Sequence, residues 1–168
     1  MRVAKLVGWQ EWVSLPELGI DRVKVKVDTG ARTSALHAQA ITSTLIDDEE
    51  WVAFKLHPLQ DNTQVEVDCR ARVTGHRVVR DSGGHEQTRV VIETLIQLGD
   101  DEWPIEMTLT NRENMGFRML LGRNAIVNRH YVDPSQAFIL TMPEIDDAQL
   151  DEEEEQEDVS PTRPADRD

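Results

Sequence analysis

Val23-Lys24-Val25-Lys26-Val27-Asp28-Thr29-Gly30-Ala31 alternates apolar and basic residues as far as Val27, then stops on an acid, a small hydroxyl residue and a glycine. Alternation of period two marks a half-buried strand, and a glycine directly after it permits a tight turn. A strand ending in this way delivers a carboxylate on a rigid stem. Asp-Thr-Gly is also an ordinary turn sequence, so the stretch needs a partner elsewhere before it speaks of chemistry. Phe117-Arg118-Met119-Leu120-Leu121-Gly122-Arg123-Asn124 supplies one, a buried strand stopping at a glycine before a short helix.

Upstream, residues 5–14 read as one strand or two short ones, weighted by Trp9 and Trp12 and broken by the segment Ser14 to Gly19. Downstream, Arg32 to Ala38 reads as short and polar. Residues 39–57 read as a hairpin around the charged turn Asp47-Asp48-Glu49-Glu50, closed by Pro58. Residues 63–74 and 88–98 are further strands. The stretch between them, through Gly75, Gly83 and Gly84, has the glycines and polar residues of an exposed hairpin tip. Trp103 to Thr110 is another strand and Asn111 to Gly116 a loop. Arg123 to Arg129 reads as a helix of about two turns. Tyr131-Val132 and Phe138-Ile139-Leu140 are the last β pieces. Without a long helix of 3.6-residue apolar period, the expected class is all-β, a closed β-barrel with one short C-terminal helix.

The chain has 168 residues and a formal net charge of −14. Residues 144–168 hold 12 of the 32 acids and two of the 18 basic residues, a net of −10, leaving −4 for residues 1–143. The expected organisation is a folded domain over 1–143 and a disordered acidic tail over 144–168. The charge excludes nucleic acid and an anionic membrane surface as partners. No run reaches the eighteen or so apolar residues of a membrane span. A single cysteine, Cys69, and a start without an apolar signal region make the cytoplasm the expected location.

Several chemistries lack their signatures: the P-loop, the dinucleotide Gly-x-Gly-x-x-Gly, the zinc-peptidase His-Glu-x-x-His and the serine-hydrolase Gly-x-Ser-x-Gly. The five histidines, His37, His57, His76, His85 and His130, have no ligand spacing. His37 is expected near Asp28, and His76 opposite His85 across the hairpin. No metal and no cofactor are expected. Cys69, inside an alternating strand, reads as a core residue.

The pair Val27-Asp28-Thr29-Gly30-Ala31 and Leu120-Leu121-Gly122-Arg123-Asn124 resembles the retroviral-type aspartic peptidases, or retropepsins. The longer run from Val27 to Ala38 is similar to a bacterial and archaeal family of retropepsin-like proteins, over roughly residues 6–140. Its members are often labelled ATP-dependent zinc proteases, and many occur beside ATP-grasp glutamate ligases. This sequence carries neither the zinc signature nor the nucleotide loop of that label.

The resemblance implies a retropepsin-like barrel that forms a C₂ homodimer, in which Asp28 and its symmetry mate share a proton around one water. Thr29 would brace the pair and Gly30 would let the backbone run close to it. Ala31, Arg32, Arg123, Gly83 and Gly84 would contact a bound peptide, the last two in a flap over residues 75–85. Gly122 would pack behind the turn, anchored by Leu120 and Leu121. The implied activity is an aspartic-type peptidase or amidase. Arg32 and the ligase association point to a glutamyl-rich or poly-glutamyl substrate and an ATP-grasp ligase partner. Two other readings stay open: a non-catalytic retropepsin-fold module that binds a peptide or ligase, and a zinc-dependent peptidase with Asp28, His37 and another His as ligands. Arg32 is the departure from the retroviral pattern, which has there an acid that pairs with the arginine of the Gly-Arg motif; here it faces Arg123.

Overall fold

The structure, a computed structural model, describes residues 3–59, 65–80, 83–111 and 116–142. The acidic stretch 144–168 lies outside them, as does the expectation that it is disordered. The strands are β1 (Lys5–Gly8), β2 (Gln10–Leu15), β3 (Ile20–Asp28), β4 (Ser34–His37), β5 (Gln39–Ile46) and β6 (Glu49–Leu56), then β7 (Val67–Arg80), β8 (Glu86–Leu98), β9 (Asp101–Thr110), β10 (Met119–Gly122) and β11 (His130–Asp133). A 3-10 turn, Pro16–Leu18, and a four-residue helix α1, Arg123–Ile126, complete the described elements. No helix among the described residues is long and apolar enough to cross a membrane.

Nine strands form one sheet in the order β2-β3-β10-β4-β9-β8-β7-β6-β5, and β1 pairs in parallel with β11 beside it. The all-β class agrees with the sequence, but the expected closed barrel does not form. Where β2 curls toward β8 the two share one residue pair, Ser14 with Gln97, instead of a ladder. The reason lies along the outer edge of β2. Trp9 N–H donates to the Gln136 carbonyl, Phe138 N–H donates to the Gln10 carbonyl, and Trp12 N–H donates to Thr141 Oγ1. A strap over residues 136–141 has taken the hydrogen-bonding positions that a barrel seam needs.

One side chain holds that strap. Glu11 is fully buried, pointing inward between Trp12 and Gln10 on their outward-facing neighbours' strand. Its carboxylate accepts from the backbone N–H groups of Gly8 (2.8 Å), Ile139 (2.9 Å), Leu140 (3.1 Å) and Thr141 (3.0 Å), and from the Thr141 hydroxyl (2.7 Å). A buried carboxylate is tolerated only with such a ring of donors. Gly8 is needed here because a Cβ would lie 2.7 Å from the Gln136 carbonyl oxygen.

The interior is lined by the inward residues of the alternating strands. Val23, Val25 and Val27 of β3 face Ile92 and Ile96 of β8, Trp103, Ile105 and Met107 of β9, and Met119 and Leu121 of β10 across one apolar cluster. β10 threads between β3, with which it runs parallel, and β4, with which it runs antiparallel. The strand β4 occupies the segment expected to be polar and irregular; all four of its residues are buried. Phe138 to Leu140, expected as β, is the strap. The helix is shorter than expected and ends at Ile126.

Burial beside Trp103 holds the His130 imidazole below its ordinary range, with Asp101 and Glu11 opposing and Lys5 adding to the shift. Burial, with a smaller push from Asp68, raises the Cys69 thiol to about 11.

Glu11→Ala strands several buried donors, each worth about 1–3 kcal/mol. Urea unfolding of this variant is expected to show a loss of roughly 3 kcal/mol or more, with Glu11→Gln milder. His130 is neutral in the fold, while the unfolded chain takes up a proton below about pH 6.5. Its contribution is therefore full above that pH and declines as pH falls. The drop in melting temperature between pH 7.5 and 5.5 is expected to be smaller in His130→Phe than in wild type; an equal drop would assign the acid sensitivity to other groups.

Candidate functional site

The strand β3 ends at Asp28, opposite Gly122 in the parallel register with β10. From there the chain turns back through Thr29 to Thr33 before entering β4. Asp28 Oδ1 accepts the Gly30 N–H at 3.0 Å, and the Ala31 N–H donates to the Asp28 carbonyl. The carboxylate thus shapes its own turn, as an Asp before a glycine commonly does. Asp28 is half-buried, while Thr29, Gly30 and Arg32 are exposed.

The corner between β10 and α1 grips this loop from behind. Arg123 N–H donates to the Ala31 carbonyl at 2.9 Å and Asn124 N–H to the Arg32 carbonyl at 3.0 Å. The Arg123 guanidinium reaches the carbonyls of Thr29 and Gly30, both at 3.3 Å. Gly122 N–H donates to Ser34 Oγ, and a Cβ on Gly122 would lie 2.6 Å from the Thr33 carbonyl carbon. Leu121 is buried in the core and Leu120 half-buried on the other face of β10. The two segments singled out in the sequence, Asp28 to Arg32 and Leu120 to Arg123, are therefore in direct contact. The expected clash of Arg32 with Arg123 is avoided because Arg123 turns onto backbone carbonyls.

Sequence reasoning missed Arg77, Thr33 and Glu106. The arm formed by β7 and β8 meets the loop at its base, where Arg77 donates to Thr33 Oγ1 at 2.5 Å and pairs with Glu106 at 3.1 Å. Gly83 and Gly84 lie in the turn at the far end, Gly84 with φ +83°. No spacing rule links residues 33, 77 and 106; only the strand order brings them together. A cavity of about 420 Å³ lies at the other end of β3, lined by Ile20, Arg22, Pro58 and Val67 among others, and not at Asp28.

His37 lies at the far end of β4, three residues beyond Ser34, which places it roughly 10 Å along the strand. His76 stands opposite Val90, not His85, and pairs with Glu50 at 3.3 Å. Among the described residues no group of three or more His, Cys, Asp or Glu converges to hold a metal, which corrects the zinc-peptidase reading.

The aspartic-peptidase reading is corrected too. It requires a closed, water-excluding barrel and a second acid beside Asp28. The sheet is open, and Asp28 Oδ1 accepts the Gly30 N–H of its own turn.

Comparison with known proteins agrees with the ligase association. The chain is 44% identical over 135 residues to a protein of Shewanella pealeana, 47% over 131 residues to one of Desulfotalea psychrophila and 48% over 129 residues to one of Parasynechococcus marenigrum. Each is described as a probable alpha-L-glutamate ligase. The matches cover 80%, 78% and 77% of this chain, which spans only 28–30% of the length of those relatives. Among solved structures, Lpg0085 of Legionella pneumophila, a protein of unknown function, superposes with a TM-score of 0.68 at 26% identity, covering 83% of this chain and 100% of that one. Residues 6–143 match the RimB-like family, described as retropepsin-like aspartic endopeptidase RimB. With the Asp28 turn, the Gly122 strand and the strap all falling inside that match, the chain belongs to the RimB-like family.

Proposed function

We propose that this chain is a non-catalytic peptide-binding module that works alongside a glutamate ligase. The observation that carries this reading is the 44–48% identity to proteins described as probable alpha-L-glutamate ligases, of which the matched stretch makes up less than a third. A segment of that share is a companion to a ligating body. Family membership does not by itself carry chemistry, since one fold serves many uses.

The binding surface in this reading is the loop from Asp28 to Thr33 and the base of the β7–β8 arm that meets it at Arg77. The ligand is a glutamyl peptide. Arg32 is exposed on the loop, and Arg123 is exposed beside it; among the described residues neither is paired with an acid. A planar guanidinium matches a carboxylate in two parallel hydrogen bonds, which suits the acidic chain that glutamate ligation builds. Thr29, Gly30 and Ala31 offer backbone groups to the peptide, and Asp28 fixes their turn.

Fluorescence anisotropy with a labelled peptide ending in several glutamates tests the reading against a matched glutamine peptide. The glutamine peptide is expected to bind at least fivefold more weakly. Arg32→Ala should cost roughly fivefold for the glutamyl peptide alone, about 1 kcal/mol, as for an exposed ion pair. Equal affinities for both peptides would overturn the acidic-ligand assignment. Hydrolysis of either peptide by wild type and not by Asp28→Asn would overturn the non-catalytic one. Gly122→Ala, whose Cβ has no room behind the loop, should lower stability by about 1–3 kcal/mol and weaken peptide binding further than that loss explains.

A further inference from the structure

The outward face of β3 carries Arg22, Lys24 and Lys26 at every second residue, while Val23, Val25 and Val27 point into the core. Lys24 lies over two rings, 5.7 Å from the centroids of both Trp12 and Phe117, and Arg22 lies 5.1 Å from Trp12. The rings pack against the two side chains and hold them on the outer face of the sheet. The chain has four lysines. Lys5 is paired with Asp101 at 3.1 Å, and Lys55 with Glu66 at 3.1 Å and Asp68 at 3.8 Å. Among the described residues Lys24 and Lys26 have no carboxylate partner, although the protein has 32 acids and a net charge of −14. Such a protein repels a phosphate polymer at long range, so the stripe calls for an acidic partner delivered locally.

The chain itself delivers one. Trp12 pairs with Lys24 in the β2–β3 register, and Trp12 N–H donates to Thr141 Oγ1. Thr141, at the end of the strap, therefore lies about two strand spacings, roughly 10 Å, from the strand that carries the stripe. Ten residues separate Thr141 from Asp151, where Asp151-Glu152-Glu153-Glu154-Glu155 begins. That connection spans up to about 33 Å, far more than is needed to turn and lie along β3. Side chains on one face of an extended segment repeat about every 7 Å, the spacing between Lys24 and Lys26.

We propose that the acidic run Asp151–Asp158 docks in cis on the stripe formed by Arg22, Lys24 and Lys26. Because β3 leads straight to Asp28 and Arg32, the docked run lies on the approach to the loop. Tethering gives it a millimolar effective concentration without any strong individual contact. It would then compete with an acidic ligand, a consequence that rests on the binding reading above, whereas the docking itself does not.

Zero-length carbodiimide crosslinking of the full chain, followed by peptide mapping, tests the docking directly. The expected result on the monomer band is isopeptide links from Lys24 and Lys26 to acids within 151–158. Raising sodium chloride from 0.05 to 1 M shortens the screening length to about 3 Å. This should reduce those links severalfold while sparing the short Lys55–Glu66 link, an internal control. Tail links confined to a dimer band would assign the stripe to a second copy and overturn docking in cis. No tail links, or tail links to Lys5 and Lys55 as often as to Lys24 and Lys26, would overturn the stripe as the docking surface. Competition is read separately: the full chain with Glu152, Glu153, Glu154 and Glu155 changed to Gln should bind the glutamyl peptide about tenfold more tightly. Unchanged affinity in a chain whose crosslinks are as expected would overturn competition while leaving the docking intact.

Discussion

The Glu11 carboxylate sits where the beginning and the end of the fold meet, and it is the acceptor that makes their meeting possible. Four backbone N–H groups, from Gly8 and residues 139–141, converge on this buried carboxylate. Replace the acid by an apolar side chain and those donors lose their only buried acceptor, so the strap has no reason to lie on β2. Without the strap, the outer edge of β2 would be free to zip further onto β8. The strap that Glu11 holds thus covers the outer edge of β2, where the sheet shares one residue pair with β8 instead of a ladder.

What remains at the Asp28 loop is a well-held but exposed surface. Its rigidity comes from behind, through the backbone donors of Arg123 and Asn124 and the close approach permitted by Gly122. Its front presents backbone groups and the exposed Arg32 to solvent. The turn and its scaffold fall inside the match to a family described as an endopeptidase, on a sheet that is open.

Much of the architecture was legible in the sequence because alternation reports on half-buried strands. The valines of β3 and the hairpin of β5 and β6 could be read directly, including the turn at Asp47 and Asp48, both of which take positive φ. The contact between the Asp28 and Gly122 segments followed from their motifs. β4 was hidden because it is buried on both faces and includes Ser34 and His37, so neither alternation nor apolar character marks it. Glu11 was hidden because a lone acid beside Gln10 in a short strand reads as solvated. The strap was misread as a strand because its hydrogen bonds go largely to a side chain, which no periodicity reports. The closed barrel was expected from a run of strands without a long helix, a pattern that reports the all-β class and not whether the edges of the sheet meet.

The parallel pair of β1 and β11, with the strap lying on β2, has a further consequence for how the fold can be carried. The first strand and the last described segment are hydrogen-bonded neighbours, joined by Lys5 to Arg129 and Trp9 to Gln136. A fold whose first and last described segments complete each other's hydrogen bonding can be joined to a longer polypeptide without disturbing its core. That geometry makes it a portable unit, in keeping with relatives in which the matching region is a minor part of a much larger protein.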